Sequence, residues 1–340
     1  MVPFSGWYMP VQYTGIIEEH IHTRTAAGLF DICHMGEFIL RGETAAGDLE
    51  KLMTRRIGDM PVGKCSYGFI LNEAGGVIDD LIVFCLSRHE FLLVVNAGTT
   101  DKDRAWIEKN ISAGTELRDV SAKTAKLDVQ GPLSGDVVAS LVGKGAVSGI
   151  KRYHFAWCKI GGMDTIVSRT GYTGELGFEL FFQAERAPDI WDMLLKTGGV
   201  KPVGLGARDT LRLEMGYALY GNDIDEAHTP FEANLGRFVG MEKSFLGKDA
   251  LLQQEDEGFK LLLAGFICEG RRSARKGFEV HVGEKKVGEV TSGAFSPCLK
   301  RGIGLCYIDK NLTGDGGEVL LTDGKTEIKA TIKDIPVYKR

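Results

Sequence analysis

The chain carries no excess of basic charge, no apolar run that could span a bilayer, no CxxC pair and no phosphate-binding glycine loop. Each absence removes a class of function. A formal charge of −5 and an isoelectric point near 5.9 argue against broad nucleic-acid binding, because phosphates have to be neutralised by basic surface. Only a local basic patch stays compatible with that balance. The longest apolar runs, 81–86 and 91–95, fall far short of the roughly 20 residues a membrane helix needs. The start, Met1-Val2-Pro3-Phe4, lacks the basic and long apolar regions of a secretion signal, so a cytoplasmic protein without membrane contact is expected.

The seven cysteines are odd in number and scattered, which disfavours a disulfide framework or structural zinc and fits reduced, partly buried thiols. Cys33 and His34 are adjacent in sequence and so poorly placed to form a nucleophile–base contact. His20 and His22, two apart on an expected helix, point to different faces, which makes a metal pair improbable. The stretch 204–209 is glycine-rich but matches neither GxGxxG nor GxxxxGK[ST]. Asp223, Asp225 and Glu226 lack calcium-loop spacing and read most simply as a solvated loop. No metal is expected.

What is present is an ordinary globular composition, 44% hydrophobic and 26% charged over 340 residues, long enough for two or three domains. The key stretch is Gly75-Gly76-Val77-Ile78-Asp79-Asp80-Leu81-Ile82-Val83-Phe84. It reads as the outgoing strand of a hairpin whose paired glycines can supply a positive φ. Strand alternation puts Asp79 on one face with Val77, Leu81 and Val83, and Asp80 on the other with Ile78, Ile82 and Phe84. A carboxylate in an apolar row is costly without a partner. Solvated decoration and function are evenly balanced here, and at most one of the two acids acts on a substrate.

Around this hairpin the pattern predicts a helix over 16–28 with Ile17 and Ile21 on its inner side, a strand region over 29–40, and a helix over 44–55. Strands are expected at 65–71 and 89–96. Thr100 and Asp103 form a capping-box pair for a helix reaching 111, with the acid standing in for Glu. A short strand at 126–130 precedes a proline-opened helix. Further on, Gly171-Tyr172-Thr173-Gly174-Glu175-Leu176-Gly177 implies a tight backbone excursion before a strand in which Glu179 and Phe181 share a face. An acid beside aromatic residues suits a flat heterocycle, although an exposed edge glutamate is the commoner arrangement. Arg208 and Arg212 share one helix face. From about residue 260 the evenly spaced strand signals are those of an all-β module, with Arg271, Arg272, Arg275 and Lys276 clustered at its start. A solvated basic loop explains that cluster more simply than an anion site.

Several ordered motifs carry a resemblance. They include Gly6-Trp7 with Met9-Pro10, Leu29-Phe30-Asp31, His34-Met35-Gly36-Glu37, residues 75–81, Val95-Asn96-Ala97, Gln130-Gly131-Pro132, residues 168–175 with Gly177-Phe178-Glu179, residues 204–209 with Leu213-Glu214, Tyr220-Gly221, and residues 291–297. Together they run almost from end to end, and the chain resembles the T-protein, or aminomethyltransferase, family of the glycine cleavage system. The resemblance implies an α+β fold of three domains in a cloverleaf around a central hole that holds tetrahydrofolate. Two interleaved domains, 1–40 with 123–226 and 41–122 with 227–256, would be followed by a C-terminal β-barrel or jelly-roll-like domain over 257–340.

It also implies a reaction. An aminomethyl group on the dihydrolipoyl arm of H-protein, the implied partner, would yield 5,10-methylenetetrahydrofolate, ammonia and the reduced arm. By position, Asp80 matches the acid beside the reacting folate nitrogens, Glu179 the carboxylate gripping the pterin, and Arg208 the folate-site arginine. Tyr67, Tyr153, Tyr172 and Tyr217 match tyrosines around the ligand, and Asn96 and Met35 match lining positions. The chain departs from the family pattern at Leu176, where an acid is usual, at Cys33 for serine, at Phe84 for a frequent tyrosine, at Lys339, and in a short lead segment that bears on H-protein docking. The main rival is a folate-dependent demethylase acting on a small S-, N- or O-methyl donor. A folate-binding relative serving iron–sulfur proteins is disfavoured, since residues 243–250 lack that group's cysteine motif.

Overall fold

The computed structural model describes residues 1–314 and 316–339. The chain divides into two compact units, one of residues 1–70, 79–207 and 240–245, the other of residues 71–78, 208–239 and 246–340. Among the described residues no helix is long and apolar enough to cross a membrane.

The first unit is built on two sheets. A six-stranded sheet runs Phe155–Ile160, Met163–Ser168, Gly177–Gln183, Thr124–Gln130, Ala27–Asp31 and Val200–Pro202, antiparallel except for the last pair. A five-stranded sheet runs Cys65–Leu71, Val77–Ser87, Glu90–Val95, Gly36–Gly42 and Thr115–Asp119. Alternation decides what each face buries. On the Gly177–Gln183 strand, Phe178, Leu180 and Phe182 pack with Leu127, Val129, Val137, Val138, Ile190 and Leu194, against the helices Ser134–Val142 and Ala187–Leu195. The opposite face sends Phe181 to meet Phe84, Leu92 and Val94 of the five-stranded sheet. The six-stranded sheet is therefore covered by helices on one side and by the other sheet on the second. Asp80, Ile82 and Phe84 lie on the inter-sheet face, and the expected strand parity holds.

Two local expectations fail. The Ile16–Thr25 helix leaves Ile17 and Ile21 exposed at 49% and 39%, and buries Glu19, His20, Thr23 and Arg24 instead. Its inward face is polar because Glu19 Oε1 accepts the backbone N–H groups of Tyr13, Thr14 and Gly15 while Oε2 accepts that of Gly204; four donors offset the desolvation of one carboxylate. Asp103, on the Thr100–Asn110 helix, does not cap it. Its carboxylate is fully buried and neither oxygen receives a hydrogen bond from an N–H or hydroxyl group among the described residues.

The second unit contains the hairpin turn and a closed barrel. Within the turn only Gly75 takes a positive φ, +82°; Gly76 is required because a Cβ there would meet the Glu226 carbonyl oxygen at 1.8 Å. Asn72 fixes the turn by accepting the N–H groups of Ala74 and Gly76 on its side-chain oxygen. The barrel closes in the order Leu261–Cys268, Arg301–Asp309, Lys285–Ser296, Glu279–Val282, Glu318–Thr322 and Glu327–Lys333, with the last strand returning to the first. Inward residues such as Phe266, Val280, Val290, Ile308, Leu321 and Ile332 fill it, so it is a packed core and not a channel. The fold is mixed α and β with a C-terminal β-barrel.

Candidate active site

Asp80 is half-buried on the Val77–Ser87 strand. Tyr67, on the adjacent Cys65–Leu71 strand, donates its hydroxyl to Asp80 Oδ2 at 3.0 Å. Asn96 follows the Glu90–Val95 strand directly and donates Nδ2 to Asp80 Oδ1 at 2.8 Å. The same side chain also reaches the Asp80 carbonyl at 3.1 Å and Asp79 Oδ1 at 2.9 Å, while the Asn96 backbone N–H donates to Asp79 Oδ2 at 3.0 Å. Asn96 is thus a bridge between two consecutive acids that point to opposite faces of the sheet.

Burial pushes the Asp80 carboxyl up to about 7, and neighbouring Asp79 pushes the same way against the pull of Tyr67 and Asn96. The Tyr67 phenol is itself driven well up, by burial and then by the Asp80 charge, with smaller pushes from Tyr172 and Tyr153. It remains a hydroxyl donor at neutral pH. Tyr153 is at φ +56°, an uncommon region for a bulky residue that is populated when surrounding structure imposes it. Its N–H bonds to the Arg169 carbonyl and its carbonyl accepts the Cys65 N–H at 2.8 Å, which ties one sheet to the other beside the site.

Glu179 lies on the facing sheet. Its Oε1 is 3.1 Å from Lys126 Nζ, and both side chains are almost wholly buried. Thr170 Oγ1 donates to Oε2. Lys126 Nζ also lies 5.2 Å from the centre of the Phe181 ring and 3.4 Å from Met35 Sδ. An ionised carboxylate offers about four lone-pair sites; two are taken, which leaves two to accept a pair of parallel N–H donors, with Lys126 holding the charge in place. That set fits the amide and amino edge of a pterin. Glu37, on the Gly36–Gly42 strand, is fully buried with neither oxygen hydrogen-bonded among the described residues. Burial drives it up to about 8, opposed by Lys126 and helped by Asp119 and Glu179. At neutral pH Glu37 therefore holds its proton.

Of the nine site residues expected from sequence, Met35, Tyr67, Asp80, Asn96, Tyr153, Tyr172 and Glu179 fall in the first unit, and Arg208 and Tyr217 in the second. Arg208 is half-buried on the Leu205–Glu214 helix. Arg212, one turn on, is fully buried against Asp223 at 2.6 Å, Asp209 at 2.8 Å and Ser292 at 2.9 Å, and also donates to the Tyr217 carbonyl. Asp223 is accordingly buried, and the solvated-loop expectation fails for it. The sequence reading did not single out Lys126, Thr170 or Glu37. The signal for Lys126 was present, since Lys126, Asp128 and Gln130 alternate with Leu127 and Val129. Leu176 packs at the edge of the helix-facing core, which absorbs one departure from the family pattern. Cys33 donates to the Lys126 carbonyl, and burial pushes its thiol up to about 12, so it is no nucleophile. The basic cluster is tied to the barrel, with Arg271 4.6 Å from the Phe295 ring centre and Arg275 donating to the Gly293 carbonyl at 2.6 Å.

Residues 1–243 match the family described as the GCVT N-terminal domain, and residues 262–339 match the glycine cleavage T-protein C-terminal barrel domain. Curated relatives include the aminomethyltransferase of Caldanaerobacter subterraneus subsp. tengcongensis, 44% identical over 346 residues and covering 100% of this chain and 92% of that one. The aminomethyltransferase of Thermotoga maritima is 42% identical, with 100% and 94% covered. The crystal structure of glycine cleavage system aminomethyltransferase T from Bartonella henselae superposes with a TM-score of 0.92 at 32% identity, over 99% of this chain and 93% of that one.

Proposed function

The chain belongs to the glycine cleavage T-protein family, and from that premise we propose that it is an aminomethyltransferase which passes a one-carbon unit from aminomethyl-dihydrolipoyl H-protein to tetrahydrofolate with release of ammonia. Full-length relatives named aminomethyltransferase support this over a small-molecule demethylase. On this reading the protein acts in the cytoplasm, and the three-domain division stated from sequence is retained with the barrel as its third part.

The observation that carries the chemistry is Asp80, a half-buried carboxyl held from two sides by Tyr67 and Asn96. Tetrahydrofolate supplies the nitrogens that accept the transferred carbon. Glu179, with Lys126 and Thr170 behind it, receives the pterin's donors; Met35, Tyr153, Tyr172, Tyr217 and Arg208 contribute to holding the ligand. As ammonia leaves, positive charge develops on the transferred carbon, and the ionised Asp80 carboxylate stabilises it. Tyr67 and Asn96 fix the orientation of that carboxylate, so little reorganisation is needed when the charge appears.

The test mixes the protein with tetrahydrofolate and aminomethylated H-protein and measures ammonia. Folate-dependent release is expected. Protein that binds folate but releases no ammonia from this donor, and instead demethylates a small methyl compound, would overturn the donor assignment.

A further inference from the structure

Asp79 has no role in the chemistry above, and Asp103 failed as a cap. Both side chains are completely buried. Asp79 sits on the strand face opposite Asp80, and the Thr100–Asn110 helix brings Asp103 within hydrogen-bond reach of it. Asp79 accepts two hydrogen bonds, both from Asn96. Asp103 accepts none from an N–H or hydroxyl donor among the described residues; the nearby Thr99 hydroxyl is committed to the Asn96 carbonyl at 2.9 Å. Two buried carboxylates in contact cannot both be ionised, because desolvation and like-charge repulsion add. A proton between them supplies the missing hydrogen bond.

We propose that Asp79 and Asp103 form a proton-sharing carboxyl pair whose task is to position Asn96 and, through it, Asp80. Both are positioning residues, and the proposal rests on the reading of Asp80 as the acting carboxylate. The proton sits on Asp79 and is donated to Asp103; the two Asp79 oxygens then fix the backbone and the amide of Asn96. The remaining reach of that amide is turned to Asp80. The groups facing the pair are Asp80 on the same strand, Lys102 on the helix, and Tyr67 beyond Asp80. Burial raises both acids, Asp103 to about 7 and Asp79 well above the usual carboxylate range. Holding a proton here keeps a second full charge away from Asp80, whose own ionisation the reaction needs.

Infrared difference spectra of the full-length protein against its variants read the proton directly, without any activity. At pH 8 a protonated-carboxyl band is expected in the wild type, lost in Asp79→Asn and shifted in Asp103→Asn, where the carboxamide oxygen accepts the same proton. A wild type with no such band, or a band untouched by both substitutions, overturns the proposal. In turnover, Asp103→Leu should lower kcat roughly tenfold with folate KM unchanged, the scale of one lost charge-assisted hydrogen bond. Asp103→Asn should recover most of that loss and move the pH of half-maximal turnover downward by about half a unit or more, since an anion near Asp80 is gone. Equal kcat and pH profiles for wild type, Asp103→Asn and Asp103→Leu also overturn it. Asp80→Asn separates the two readings. If its turnover is unimpaired, the catalytic assignment fails, and the infrared result still decides the pair.

Discussion

Each unit buries acids completely, and the two treat them in opposite ways. In the second unit Asp223 is 0% exposed, yet its Oδ2 takes Arg212 at 2.6 Å and the Leu219 N–H at 2.9 Å, while its Oδ1 takes the Thr291 hydroxyl at 2.5 Å. Tyr307 adds a bond to its backbone carbonyl. Charge and lone pairs are both answered, which is the condition under which a buried ion pair holds a fold. In the first unit Asp79, Asp80 and Asp103 are crowded together around one amide and one phenol. The first arrangement fixes structure. The second leaves acids with raised proton affinity at neutral pH, which is what a site handling charge requires.

Breaking the compensated side should have the largest effect. Arg212→Met leaves Asp223 buried without its cation and should destabilise the protein by roughly 3–5 kcal/mol, read by chemical denaturation. On the other side Asp80→Asn should keep folate binding, followed by titration calorimetry, while ammonia release falls at least ~10²-fold, the scale of one preorganised electrostatic partner. Denaturation midpoints close to wild type would accompany that loss. The contrast between the two substitutions is the point: stability is lost in one and rate in the other.

Glu37 sharpens the comparison through pH. Its folded value, about 8, lies above that of the unfolded chain, so the folded state holds a proton that unfolding releases. Stability from this group is present below about pH 4.5 and is lost as pH rises through about 8. Glu37→Gln lacks that slope and should match the wild type near pH 4, then exceed it by at least about 1.4 kcal/mol at pH 9, one pKa unit's worth. Urea titrations at the two pH values check this; an advantage that is equal at both would remove Glu37 from the set of protonated acids. The smallest change is expected for Tyr67→Phe. One hydrogen bond to Asp80 is lost, turnover falls about three- to tenfold, and the midpoint of the pH profile moves upward because that bond favours the ionised form.

Sequence reasoning read the first unit better where alternation controls burial and worse where partners are remote. The faces of 77–84 and of 178–182 followed from a period of two, and the packing of Phe84, Phe181 and Leu180 agrees with it. The all-β character of the last module followed from evenly spaced strands, and its closure into a barrel from the family resemblance. The Ile16–Thr25 helix misled because its inner face is stabilised by backbone donors from residues 13–15 and 204, which no apolar pattern records. Asp103 looked like a cap because a local spacing rule applied; its neighbour lies 24 positions away on another element. Asp223 looked solvated because Thr291 and Tyr307, which bury it, come 68 and 84 residues later. Asp80 and Glu179 stood out through family motifs, whereas Lys126 belongs to none of them and Glu37, although inside the His34–Glu37 motif, carried no expected role.

The most direct measurement is the pH dependence of single-turnover ammonia release from aminomethylated H-protein with tetrahydrofolate, for wild type and Asp80→Asn in parallel. Because Asp80 must be ionised and burial raises it to about 7, the wild-type rate should climb with pH through that region, while the variant stays low and flat. A variant that follows the wild-type curve at the same height would contradict the account.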